Sequence, residues 1–160
     1  KKKYADVQEL AIESQKKGNE LKAQFVDVID RDTEAFNAVS AVFAMPKDTD
    51  EEKAARKAAM QEALKGCTKT PFEMMELACQ ALELTRSVVG KLNASAASDL
   101  GCAALSLKAA IQGAWLNVLI NIGGIQDQAF ADEYRQKGQA LLDKALPLAD
   151  AIYQEVLESL

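Results

Sequence analysis

The chain contains no histidine. That absence removes imidazole general acid–base chemistry, Ser-His-Asp and Cys-His nucleophile pairs, and the usual zinc and haem ligands. Any chemistry must come from carboxylates, lysine, tyrosine, serine or cysteine. Cysteine is scarce: Cys67, Cys79 and Cys102 are an odd number without CxxC spacing, which predicts buried, reduced thiols and a cytoplasmic protein rather than a disulfide framework. Only 8 glycines and 3 prolines interrupt 160 residues, and no segment alternates with the period of two that a strand requires. There is no surplus of positive charge. The net charge of -5 offers nucleic acid no general attraction, so an anionic ligand needs a local basic site. No apolar leader follows Lys1-Lys2-Lys3-Tyr4, and no capping residue precedes the helical pattern that starts there. We therefore expect the first part of the native protein to lie ahead of Lys1.

What is present is helix-forming: Ala, Leu, Glu, Lys and Gln dominate. The pattern predicts an all-α bundle of about five helices in one domain over residues 1–160. A long N-terminal helix runs from about Lys3 to Ala44, with Leu21, Phe25, Val28, Ala35, Phe36, Val39 and Phe43 on one face, and ends at Met45-Pro46. Asp48 or Thr49 caps a charged, exposed second helix that Gly66 closes. Thr70-Pro71-Phe72-Glu73 reads as a new start, with a Thr cap and proline at the first helical position. That third helix stops at Gly90. A fourth runs from near Ser98 to Ile122 before Gly123-Gly124. A fifth follows Asp127 to near Leu160, with a bend at Pro147. Gln61 and Glu62 are expected to be solvated, and Met74, Met75 and Cys79 to fill the core.

The fourth helix is apolar nearly all round, which predicts the central buried helix of the bundle. It is long enough to span a membrane, but Asp99, Lys108, Gln112, Asn117 and Asn121 would be costly at that depth. At about 100° per residue, Asp99, Ser106, Asn117 and Asn121 share one stripe with small residues between them. Such a stripe either bonds a neighbouring helix or faces a ligand. The same geometry puts Asp32 on the apolar side of the first helix. An acid buried there would have a raised pKa, suited to proton transfer, unless Arg86, Lys108 or a backbone group pairs with it. Asp30 and Glu34 fall on the solvated side.

Six segments then carry a resemblance: KKKY (1–4), DRDTEAFNA (30–38), MPKDTDEEKAARKAAMQ (45–61), TPFEM (70–74), SDLGCAA (98–104) and GAWLNVLINI (113–122). In this order and spacing the chain resembles the cyclodeaminase/cyclohydrolase family. That family includes the C-terminal domain of formiminotransferase-cyclodeaminase and free-standing methenyltetrahydrofolate cyclohydrolases. The resemblance implies an all-α homodimer acting on a small-molecule folate. It would convert 5-formimino-tetrahydrofolate to 5,10-methenyl-tetrahydrofolate and ammonia, or hydrolyse the methenyl form to 10-formyl-tetrahydrofolate. No metal or redox cofactor is expected beyond the tetrahydrofolate substrate, and neither nucleic acid nor membrane is expected as a partner; a formiminotransferase is. Family members carry a proline- and glycine-rich turn ahead of the position of Lys1, and part of the site is expected there.

Both reactions pass through a cationic one-carbon bridge between N5 and N10, and in both one group must change protonation state. Asp32 is the candidate acid–base. Asp99 is the candidate cation stabiliser or pterin anchor. Asn37, Ser98, Asn117 and Asn121 are candidate pterin contacts, and Lys108, Lys91 or the Lys1–Lys3 cluster could meet the glutamate tail. The alternatives from other classes are a non-catalytic helical dimerisation module and a folate-binding module without turnover.

Overall fold

The computed structural model describes residues 2–160, with side chains from residue 5 onward, so the Lys1–Lys3 cluster lies outside the described side chains. It is all-α: a 3-10 turn over Lys2–Val7 leads into α1 (Gln8–Phe43), followed by α2 (Asp50–Val88), α3 (Ala97–Ile122) and α4 (Gln128–Ser159). A second 3-10 turn, Ala94–Ala96, precedes α3, and no strand occurs among the described residues.

The predicted second and third helices are one. α2 runs 39 residues straight through Gly66 and Pro71. Proline inside a helix removes the N–H that would bond the carbonyl four residues back. Here that carbonyl belongs to Cys67, and Asn121 Nδ2 of α3 donates to it at 2.8 Å. The lost helical bond is thus replaced across the bundle. Cys67, Thr68, Thr70, Pro71 and Phe72 are all buried, and that burial offsets the roughly 1 kcal/mol that an interior glycine costs. Asn121→Ala should orphan the Cys67 carbonyl and cost about 1–3 kcal/mol, measurable by denaturant unfolding. An unchanged midpoint would show that the bond carries nothing.

The start of α2 follows its sequence. Thr49 accepts from Glu52 N, and Glu52 reaches back to Thr49 N, closing a capping box. Arg56 donates to the carbonyl of Val42, capping the end of α1 with a cation. Gln61 is not merely solvated: it donates to Gly124 O and accepts from Gln126 N, clamping the α3–α4 loop. α4 continues through Pro147.

The central helix is α2, not α3. α2 packs against α1, α3 and α4, whereas α1 packs along α2 alone among the other α-helices. Met75, Leu82, Ile111, Val118 and Ile152 form the innermost layer at the α2–α3–α4 junction. Leu21, Val28 and Leu77 make a smaller cluster under α1. α3 is long and apolar enough to cross a membrane by length and composition, yet only 22% of its apolar window is buried. Its Leu116 is 67% and its Ile120 75% exposed. Likewise α1 does not bury one seven-residue face: Leu21, Val28 and Val42 face α2, while Phe36 and Phe43 stand exposed. A helix with two apolar seams looks in sequence like one with a single broad face.

Candidate active site

Asp32 lies on α1 opposite Thr70 of α2. The Thr70 hydroxyl donates to Asp32 Oδ1 at 2.6 Å. Asp32 is exposed in the single chain rather than buried, because α1 covers α2 with its other seam. Neither Arg86 nor Lys108 is its partner: Arg86 pairs with Glu155, and Lys108 Nζ meets Asp150 Oδ1 at 2.5 Å. Asp32 and Thr70 open onto a pocket of about 230 Å³ whose third wall is Asn117 of α3, with Ile29, Pro71 and Met74 around them. Asn117 Nδ2 donates to Gly113 O at 3.1 Å, one turn back, which fixes its amide on the helix. Cys67 lies close enough for the Asp32 charge to act on it. Burial first, and that charge second, push its thiol up, so it stays protonated and inert.

The remaining sequence candidates lie apart. Asp99 and Ser98 are exposed at the start of α3. Asp99 is 18 residues from Asn117, so a rise of 1.5 Å per residue puts them about 27 Å apart along the axis. Asn121 is engaged by the Cys67 carbonyl. Lys108 ties α3 to α4, and Lys91, in the turn after α2, donates through Nζ to Ser87 O near the end of that helix. Asn37 is exposed five residues beyond Asp32, about 140° round α1 from it. Asp30 and Glu34 are exposed, as expected. Of the three cysteines, Cys67 and Cys79 are buried but Cys102 is exposed. Thr70 is the site residue that sequence reasoning missed. Its Thr-Pro-Phe-Glu context is that of a helix cap, and only the continuity of α2 frees its hydroxyl to turn toward α1.

A second, wider cleft of about 900 Å³ runs on the other side of α1, between α2 and α4. Arg31 lines it, but its two terminal nitrogens donate to Glu73 at 2.7 and 2.6 Å and its Nε donates to Asp27 at 2.7 Å. These bonds raise the Arg31 pKa, and the same bond from Arg31 holds the Glu73 carboxyl below its ordinary value. Burial, then the Glu73 charge, raises Glu76, and burial raises Tyr134. Arg31 is thus neutralised by the chain's own acids, whereas Asp32 keeps one oxygen without a hydrogen bond among the described residues.

The family model described as formiminotransferase-cyclodeaminase matches residues 1–140. The chain belongs to that family. Within it, the methenyltetrahydrofolate cyclohydrolase of Methylorubrum extorquens is 39% identical over 98% of this chain and 75% of its own length. The formimidoyltransferase-cyclodeaminase of Sus scrofa is 34% identical over 77% of this chain, and the match covers 23% of that longer protein. The crystal structure of formiminotetrahydrofolate cyclodeaminase from Thermotoga maritima superposes with a TM-score of 0.77 at 26% identity, covering 100% of this chain and 74% of that one.

Proposed function

We propose that the chain is a folate one-carbon enzyme whose reacting end sits at the Asp32–Thr70–Asn117 pocket, hydrolysing 5,10-methenyl- to 10-formyl-tetrahydrofolate. The observation that carries the reading is the meeting of Asp32 and Asn117 in one pocket, in a chain of this family. The 39% identity to a methenyltetrahydrofolate cyclohydrolase over nearly the whole chain favours hydrolysis. Cyclodeamination of 5-formimino-tetrahydrofolate is the second reading, favoured by the likeness to the Thermotoga protein.

Water adds to the bridge carbon of the cationic substrate and must lose a proton. Thr70 holds one Asp32 oxygen, leaving the other to take that proton. The neutral adduct collapses to the formyl group as the carbon–N5 bond breaks. Its hydroxyl proton leaves and N5 gains one, so each turnover releases one proton overall. Before attack, the Asp32 charge stabilises the cationic bridge. Asn117 offers its amide to the pterin edge. Asp99 as pterin anchor, Ser98, Asn37 and the lysines as further contacts, homodimerisation, a formiminotransferase partner and a cytoplasmic setting belong to the same reading. The chemistry as written needs only the carboxylate and water.

Mixing the protein with 5,10-methenyl-tetrahydrofolate should accelerate loss of its near-ultraviolet absorbance. With 5-formimino-tetrahydrofolate, ammonia release would mark the second reading. No acceleration with either substrate, and no thermal shift with any folate, would favour a helical dimerisation module. A shift without turnover would favour a folate-binding module.

A further inference from the structure

With a net charge of -5, the chain needs a local basic site to hold an anion, and one is built where α1 turns into α2. A cleft of about 270 Å³ is lined by Lys47, from the connection between the two helices, and by Lys53, Arg56 and Lys57 of α2, with Val42 and Met60 among its apolar walls. Four cations and no acid line it. The wide cleft on the other side of α1 instead sets Asp27, Glu73 and Glu76 against Arg31, Lys69 and Lys137.

The acids nearest in sequence are engaged elsewhere or stand in solvent. Glu52 accepts from Asp48 N and Thr49 N. Asp50 meets Lys53 at 3.1 Å in an exposed pair one turn apart, which contributes little. Lys47 and Lys57 have no hydrogen-bond or ion-pair partner among the described residues. Arg56 is fixed in place, because Nε donates to Val42 O at 3.1 Å and Nη2 to Phe43 O at 3.5 Å. Its Nη1 is left for a ligand.

This basic cleft shares a flank with the Asp32 pocket. With Thr70 at zero and about 100° per residue, Met74 and Pro71 of the Asp32 pocket fall at about 40° and 100° on α2. Arg56, Met60, Lys53 and Lys57 fall at about 40°, 80°, 100° and 140°, in the same sector. Ten residues separate Asp32 from Val42 on α1, and ten separate Met60 from Thr70 on α2, so both helices put the two clefts about 15 Å apart. Between them, the exposed rings of Phe36 and Phe43 follow Ile29 of the Asp32 pocket at seven-residue spacing, two turns each, along that side of α1.

We propose that the cleft of Lys47, Lys53, Arg56 and Lys57 seats the glutamate carboxylates of the folate, with Phe36 under its p-aminobenzoyl ring. The assignment rests on the folate reading of the Asp32 pocket and extends it along the α1–α2 groove. A methenyl-tetrahydrofolate carries a cationic bridge, then an aromatic ring, then carboxylates. The groove offers an acid, then exposed rings, then cations, in that order. An extended p-aminobenzoyl-glutamate, met by the reach of a lysine side chain, spans the gap. Ring packing on Phe36 and carboxylate contacts to Arg56 and the lysines orient the bridge toward Asp32 without taking part in proton transfer. Lys108 and Lys91 are held by Asp150 and by Ser87 O, so neither is as free to meet the tail.

The test separates the tail from the reacting end. Lys47→Glu/Lys57→Glu changes two exposed side chains and should fold. With 5,10-methenyl-tetrahydrofolate its KM should rise about 10-fold or more, with kcat within about twofold of wild type and the difference shrinking in added salt. With 5,10-methenyl-tetrahydropteroate, which lacks the glutamate, wild type and variant should share one KM. An unchanged KM for the folate, or an equal rise on both substrates, would overturn the seat. Phe36→Ala should raise KM on both substrates, and no rise on either would remove the ring from the path. Calorimetric titration with p-aminobenzoyl-tri-γ-glutamate reads the seat without turnover. Binding by wild type that the double variant loses supports it. If wild type turns over neither folate yet keeps that lysine-dependent binding, the reaction assigned to the Asp32 pocket fails while the seat stands. No binding, or pyrophosphate bound there that the glutamyl compound does not displace, would overturn the seat itself.

Discussion

Asp32→Asn is expected to lower turnover of 5,10-methenyl-tetrahydrofolate by about 100-fold or more. The asparagine oxygen can still accept from the Thr70 hydroxyl, which now donates to Asp32 Oδ1 at 2.6 Å, so side-chain position and α1–α2 packing are retained. What goes is the negative charge beside the cationic bridge and the oxygen that takes the proton of the attacking water. General base catalysis contributes roughly 10²–10⁴-fold, and lost charge stabilisation adds to it. The variant should unfold at the wild-type temperature, because Asp32 is exposed in the chain and holds only one hydrogen bond among the described residues. Near-normal kcat in a folded Asp32→Asn protein would remove this carboxylate from the mechanism. Asp99→Asn is expected to fall comparably if Asp99 holds the pterin or its charge, with KM carrying more of the loss.

Gly138→Ala is expected to destabilise the bundle by about 2–3 kcal/mol. Gly138 is buried on α4 where the ring of Trp115 from α3 crosses it. A Cβ built there would sit 2.0 Å from Trp115 Cζ3 and 2.6 Å from Cε3. An indole is rigid, so either the ring leaves its rotamer or α3 and α4 move apart. For a chain of this size, thermal unfolding should shift down by about 4–12 °C. Gly138→Ala combined with Trp115→Leu should lose less than the sum of the two single changes, since the smaller side chain vacates the contested space. Additive losses would place the strain elsewhere. By contrast, Gly113 and Gly66 have no atom near enough to contest a Cβ, so the sensitivity belongs to the α3–α4 crossing rather than to glycine in helices generally.

Much of the fold was legible in the sequence because helix periodicity and terminal chemistry are local. The C-terminal end of α1, the ends of α3, the Thr49 cap of α2 and the Asp127 cap all follow from residues within a turn of where they act, whereas α1 begins at Gln8 after a 3-10 turn rather than near Lys3. The all-α class and the family followed from the same short segments. The break read at Gly66 and Pro71 did not survive, because its premise was local and its answer was not. The carbonyl that Pro71 leaves unbonded is served by Asn121, which is 54 residues away from Cys67.

The site divides along the same line. The sequence by itself determined that a chain without histidine would rely on carboxylates, offered Asp32 and Asp99 as the catalytic candidates with Asn117 among several pterin contacts, and put Asp99 on a helical stripe with Asn117. Only the tertiary structure decided which of these meet. A shared stripe fixes direction around a helix but says nothing of distance along it, so Asp99 lies about 27 Å from Asn117 while Thr70, on another helix, touches Asp32. Burial was likewise decided in three dimensions. Hydropathy reports that a face is apolar, not what covers it, and the apolar faces of α1 and α3 stand open in the single chain because α2, not α3, lies at its centre.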